Sequence, residues 1–219
     1  MTLIIDIITE EKTIKICDKM HSIDGTIENP VKATLKMGNS TIHMQAPKIR
    51  INSGTKILQL NDNTIIGGAG VISKIELLKS KIPSDLKDTI FNFFDDYYFA
   101  NKSDSPDELT VSYKTTNTFY TKIYRNISDE YSSYFYSYNF YPISDKIVVA
   151  AIGSGSSIFL PIYTKLRNDN NQKYNKAKTE GTLTSWENDF IALIKRIFEH
   201  ISLYDDSVSK EIELYSLHQ

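Results

Sequence analysis

The sequence predicts an α+β fold in which antiparallel sheets are covered by helix layers, and three observations carry that expectation. Strand-like segments come in blocks at the start, middle and end of the chain. Two helix-like segments separate the first block from the second, and two more separate the second from the third. At 219 residues, with 41% hydrophobic residues, the chain is long enough for one domain with a substantial core. Strands and helices in blocks, rather than in strict alternation, favour antiparallel sheets with segregated helices.

Residues 2–8 (TLIIDII) and 12–17 (KTIKIC) read as two short strands joined by Thr9, Glu10 and Glu11. Both are rich in β-branched residues, and the second sets Thr13, Lys15 and Cys17 against Ile14 and Ile16, which predicts one buried face. Residues 21–54 read as irregular, punctuated by Gly25, Pro30, Gly38, Pro47 and Gly54, with weak strand patterns at 40–44 and 48–51. Residues 56–60 and 64–67, around the turn Asn61-Asp62-Asn63, form a hairpin that runs into Gly67-Gly68-Ala69-Gly70.

Helical spacing follows at Ile72, Ile75, Leu78 and Ile82, and Pro83 stops it. Ser84 is placed to cap a second helix carrying Leu86, Ile90, Phe93, Phe94 and Tyr97. Residues 101–108 are a loop, and strand character returns between 109 and 152. After Gly153-Ser154-Gly155-Ser156 an apolar helix is expected through Leu166, with Ser157 as its cap so that Pro161 falls near its start. Residues 167–183 read as polar and mobile. Thr184-Ser185-Trp186-Glu187 matches a capping box ahead of Phe190, Leu193, Ile194, Ile197 and Ile201, and residues 211–217 read as a last strand.

A formal net charge of −2 gives no reason to expect nucleic acid or an anionic membrane as partner. Cys17 is the single cysteine, which excludes an intramolecular disulfide and fits a reducing compartment. The opening MTLIIDIITEEKTIKI is too short and too charged after Ile8 for a secretory signal, and no stretch approaches the ~18 apolar residues of a membrane helix. A soluble cytoplasmic protein is the default expectation. His21, His43, His200 and His218 show no metal-ligand spacing, so neither metal nor cofactor is expected. The aromatic block 119–141 lacks the basic surface that base stacking would want, and reads as strand packing or a subunit interface.

Five landmarks remain: Thr2 heading a strand, Asp18 ending the next, Lys56 opening a third, Gly70 ending a fourth, and the Gly-Ser-Gly-Ser turn containing Ser154. Asp18 lies sixteen residues after Thr2, and Gly70 fourteen residues after Lys56. In that order and spacing they resemble the β-type subunits of the 20S proteasome and the related bacterial two-ring protease, which are threonine peptidases of the N-terminal nucleophile (Ntn) hydrolase superfamily. The resemblance covers essentially the whole chain. It implies a single domain, residues 1–219, with a four-layer αββα sandwich of two antiparallel sheets flanked by helix pairs. The 38 residues from Asp18 to Lys56 exceed the family's usual interval, which places an insertion around 22–48.

The resemblance also implies roles. Thr2, freed of Met1, would be the nucleophile and its own amine the base, since a free α-amine titrates near ~7.7–8.0. Lys56 would favour the neutral amine and the incipient alkoxide, and Asp18 would hold Lys56 charged and in place. The Gly70 N–H would meet the oxyanion. Ser154 would assist proton transfer, and the segment that supports this serine in the family aligns here at Ser202 or Asp205. The primary specificity pocket would be lined by His21, Gly68, Ile72 and Glu76. A small Gly68 and an acidic Glu76 suit a long basic side chain, although Glu76 reads better as a solvated helix residue.

The expected partners are a peptide or unfolded-protein substrate, identical subunits in a ring, and an ATP-dependent unfoldase. Two other readings stand beside peptidase activity: a subunit that keeps the fold without chemistry, and an amidohydrolase for a small substrate.

Overall fold

The computed structural model describes residues 2–24, 31–37, 40–46, 48–52, 56–70, 72–83, 89–101, 104–128, 133–205 and 208–218; within these, the side chains of 20–52, 72, 73, 128 and 133 are outside the description. Two antiparallel sheets form its centre. The first has four strands in the order β12-β1-β2-β13, where β1 is Ile4–Ile8, β2 Lys12–Asp18, β12 Val148–Ile152 and β13 Ile212–His218. The second has five in the order β11-β10-β9-β8-β7, where β7 is Ile57–Asn61, β8 Thr64–Ala69, β9 Glu108–Lys114, β10 Phe119–Ser128 and β11 Ser133–Phe140.

Three apolar clusters define the layers between and around these sheets. One joins Ile5, Ile7, Ile14 and Ile16 to the helices α3 (Ser156–Glu180) and α4 (Leu183–Ile201) through Phe159, Phe190 and neighbours. A second joins Ile66 and Val111 of the five-stranded sheet to α1 (Ile72–Lys81) and α2 (Ile90–Ala100) through Leu78, Phe94 and Tyr98. The third lies between the sheets and contains Ile4, Cys17, Ile65, Ile123 and Ile152. The result is the four-layer αββα sandwich. Alternating residues of β1 serve both interfaces, Ile5 and Ile7 facing helices and Ile4 facing the other sheet.

That arrangement changes the meaning of the alternation in β2. Ile14 and Ile16 meet the helices, but Thr13, Lys15 and Cys17 are equally buried because the second sheet covers them. Burial pushes the Cys17 thiol up to about 12, leaving it a small inert hydrophobe.

Three further segments differ from the sequence expectation. Residues 21–54 carry four strands, β3 (Met20–Asp24), β4 (Val31–Met37), β5 (Ser40–Ala46) and β6 (Lys48–Asn52). They pair as β3–β6 and β4–β5: the weak strand patterns at 40–44 and 48–51 are β5 and β6, while β3 and β4 stand where irregular chain was expected.

Residues 167–180 continue α3 rather than forming a polar linker. Asn170, Tyr174 and Ala177 recur on the side facing the core, Tyr174 lies 4.9 Å from Trp186 between ring centroids, and Gly181 at φ 70° ends the helix in the left-handed conformation that glycine adopts without strain. A one-sided stripe of three residues among eleven polar ones is too sparse a signal to register in a composition reading.

The capping boxes also shift. Helix α4 starts at Leu183 after Thr182 with no side-chain cap, and Glu187 pairs instead with Lys12. Helix α3 starts at Ser156, so Ser157 lies inside its first turn and donates to the Ser154 carbonyl. Ser84 falls outside the described residues, and α2 begins at Ile90. In the aromatic block Phe119 and Tyr124 pack inside, while Tyr134 and Tyr138 on edge strand β11 are exposed. No described helix is long and apolar enough to cross a membrane.

Phe94 is fully buried in the cluster that packs α2 on the five-stranded sheet, 5.2 Å from Phe93 and 6.0 Å from Tyr124 between ring centroids. Phe94→Ala is expected to lower stability by about 3–5 kcal/mol, read as a shift of the urea midpoint without a change in slope.

Candidate active site

Asp18 ends β2 at the edge of the two-sheet interface, and donors from several segments meet its fully buried carboxylate. Oδ1 accepts from the Thr2 hydroxyl at 2.7 Å and from the Leu3 amide at 2.8 Å. Oδ2 accepts from Lys56 Nζ at 2.8 Å and from the Ser209 amide at 3.3 Å. Both oxygens are thereby hydrogen-bonded, which is what permits a carboxyl group to be buried here.

The donors come from three separate segments. Thr2 and Leu3 lead into β1, and the Asp18 amide donates back to the Leu3 carbonyl at 3.2 Å, closing the β1–β2 ladder at this end. Lys56 immediately precedes β7 in the other sheet, and its carbonyl accepts from the Gly68 amide at 3.0 Å. Ser209 arrives from the segment after α4. Thr2 is 2% exposed and Lys56 6%. Desolvation lowers the Lys56 pKa from its ordinary value, and the Asp18 charge opposes that loss.

The turn after β12 forms the other wall. Gly153 has φ 89°, and a Cβ there would stand 2.1 Å from the Thr2 carbonyl oxygen, so only glycine lets this turn close on the chain start. The Gly155 amide donates to that same carbonyl at 3.3 Å, and the Gly153 amide donates to Glu108. Next to it, the Ser154 hydroxyl donates to Asp205 Oδ2 at 2.8 Å. Of the two positions aligned with the supporting segment, then, Asp205 contacts the serine, while Ser202 donates to the Glu199 carbonyl in the last turn of α4.

The structure thus brings Thr2, Asp18 and Lys56 into one hydrogen-bonded chain and sets Ser154 beside the Thr2 carbonyl through Gly153 and Gly155. Gly70 lies between β8 and α1 at φ 115°, exposed, with the Asp107 carboxylate against it. The backbone of His21 lies in β3 and that of Ile72 opens α1, but both side chains are outside the described residues. Gly68 faces Ile75, whose side-chain carbons stand 3.1–3.2 Å from where a Cβ would be. Glu76 points outward, pairing with Lys79 at 2.8 Å and 61% exposed. Ser209 and Glu108 escaped the sequence reading. Ser209 acts through its backbone amide, which no residue type signals, and Glu108 reaches the site only through the pairing of β9 with β8.

Chemically, the arrangement holds a hydroxyl, a carboxylate and an ammonium in line within a nearly dry site, where charge interactions are strengthened. The hydroxyl needs only a proton acceptor to become a nucleophile.

No family model matches this sequence, and no curated protein matches it. Among solved structures the chain is similar to eukaryotic HslV from Trypanosoma brucei, with a TM-score of 0.51 and 15% identity over 100% of both chains. The fold is therefore HslV-like, an α+β sandwich of two antiparallel sheets between helix pairs.

Two outcomes check this geometry. Asp18→Asn removes the charge that opposes desolvation, so Lys56 is expected to lose its proton at a lower pH than in the wild type, measured by NMR titration of its ε-carbon. An unchanged titration would remove Asp18 as its partner. Gly153→Ala is expected to cost at least about 1–2 kcal/mol from the left-handed backbone alone, measured by thermal melting.

Proposed function

We propose that this chain is a threonine peptidase of the proteasome-like type, using Thr2 after removal of Met1. The observation that carries the reading is the convergence of the Thr2 hydroxyl, the Asp18 carboxylate and the Lys56 ammonium from three separate segments of an HslV-like fold. In this reading the freed Thr2 amine takes the proton from Oγ1 as that oxygen attacks a peptide carbonyl. Lys56 supplies the positive charge that favours the neutral amine and the emerging alkoxide. The oxyanion develops at the Gly70 amide, where loss of one donor typically costs about 10²–10³ in rate.

Collapse of the tetrahedral intermediate expels the leaving amine, which takes up the proton held by the Thr2 amine. It leaves an ester on Thr2, and water, deprotonated by the same amine, hydrolyses that ester. Ser154, oriented by Asp205, relays protons beside the nucleophile. His21, Gly68, Ile72 and Glu76 would receive the side chain before the scissile bond. The reaction calls on no cofactor. The setting we propose is cytoplasmic, within a homo-oligomeric ring that takes peptide or unfolded protein, fed by an ATP-dependent unfoldase, with the 22–48 insertion as an addition to the single domain.

One observation favours a second reading, a structural subunit without chemistry: Thr2 is 2% exposed with its hydroxyl committed to Asp18. Intact-mass analysis and N-terminal sequencing decide between them, together with labelling by an epoxyketone directed at N-terminal threonine. The peptidase reading expects protein beginning at Thr2, stoichiometric labelling, and peptide turnover that falls by at least about 10³-fold in Thr2→Ala. Retained Met1 with no labelling overturns it. Turnover by a monomer or dimer of small amides but not peptides would identify an amidohydrolase instead.

A further inference from the structure

A second buried ion pair lies away from the candidate active site. Asp6 of β1 and Lys15 of β2 stand directly opposite each other in the strand register, 1% and 0% exposed, with their charged ends in contact. The pair does not stay within its own sheet. Asp6 Oδ2 accepts from the Thr110 hydroxyl at 2.5 Å and Oδ1 from the Ser112 hydroxyl at 3.0 Å, both on β9 of the opposite sheet. Lys15 Nζ donates to Thr110 Oγ1 at 3.1 Å, and Ser112 and Thr121 Oγ1 lie 3.0 Å apart, extending the chain to β10. A Cβ at Gly67 would meet Lys15 Cδ at 3.2 Å, so the lysine stem lies along β8.

Most of the other described residues between the sheets are aliphatic or aromatic, including Ile4, Ile65, Phe119, Ile123 and Ile152. Apolar contact is non-directional, and an isoleucine-rich interface fits nearly as well at neighbouring offsets. A polar group buried without its partner is penalised, so the five side chains of this network are satisfied at one offset. Stability is a poor reason for such a pair, because apolar replacements of buried ion pairs are often neutral or stabilising; conformational specificity is the attested alternative.

The candidate site is divided along the same interface. Thr2 and Asp18 belong to the four-stranded sheet, whereas Lys56 and Gly70 flank β7 and β8 of the five-stranded one. We propose that Asp6 and Lys15 form an inter-sheet clasp that fixes the offset of the two sheets and so positions Lys56 against Asp18. The effect on turnover rests on the peptidase reading; the effect on geometry does not.

The test is the double variant Asp6→Asn/Lys15→Met. It removes both charges while leaving an amide oxygen for the Thr110 and Ser112 hydroxyls. In the variant trimmed to Thr2, kcat is expected to fall at least about 10-fold with KM within about twofold, because misplacement of the order of 1 Å can cost about 10² in rate. A crystal structure of the variant is expected to show Lys56 Nζ and Asp18 Oδ2 separated beyond hydrogen-bond reach, compared with 2.8 Å here. Its melting temperature is expected to stay within a few degrees of the wild type, whereas Lys15→Met alone, leaving a buried carboxylate uncompensated, lowers it by about 10 °C. Wild-type kcat in the double variant, or a retained 2.8 Å contact, overturns the clasp. If the wild type turns over no peptide, the peptidase reading fails by itself, and the crystallographic separation alone decides the clasp.

Discussion

The structure depends on one carboxylate, that of Asp18, held where water cannot reach it. Asp18 ties the start of β1, the entry to β7 and the segment after α4 to one point, and none of these is near another in sequence. Each donor tolerates burial because the carboxylate is there, and the carboxylate tolerates burial because its donors are. Remove one and the others face a desolvation cost that the apolar surroundings cannot offset. That interdependence makes this corner of the sandwich the least replaceable part of the molecule.

The rest of the fold keeps that corner dry and in place. Helices α3 and α4 cover one outer sheet face and α1 and α2 the other, so both sheets present apolar residues on both faces. Such sheets are stable but weakly directional. Direction comes from the few polar groups left inside, Asp18 with Lys56 at one end and Asp6 with Lys15 farther along the same two strands. Close backbone approach at Gly153 seals the remaining side, because no side chain stands between that turn and the Thr2 carbonyl.

With 15% identity to HslV across the full length, little of the sequence is shared, yet the folds are alike. A sandwich of this kind asks for alternating apolar residues, turns of suitable length and a few close approaches, all of which many sequences satisfy. Those were the features legible in advance. β1, β2, the β7–β8 hairpin and α1 fell where β-branched runs, a turn triplet and helical spacing put them. The meeting of Thr2, Asp18 and Lys56 was anticipated through the family resemblance, which their positions at strand ends made visible. Lys15 was misread, since a lysine in an alternating strand signals a solvated face unless a partner sheet covers it. The second half of α3 was missed because its contacts with α4 and the Glu10–Glu11 turn, not its own composition, hold it helical.

The sequence by itself determined the order of strands and helices, the chemistry available at the strand ends, and the glycines where chain and turn come close. Those are local properties, set by propensity, periodicity and backbone freedom within a few residues. The tertiary structure alone decided which polar groups are buried and with whom. Asp205 rather than Ser202 meets Ser154, the Ser209 amide donates to Asp18, and Asp6 with Lys15 spans the two sheets. These pairings join residues far apart in the chain, and their energy exists only once water has been excluded from around them, which no local stretch of sequence can do.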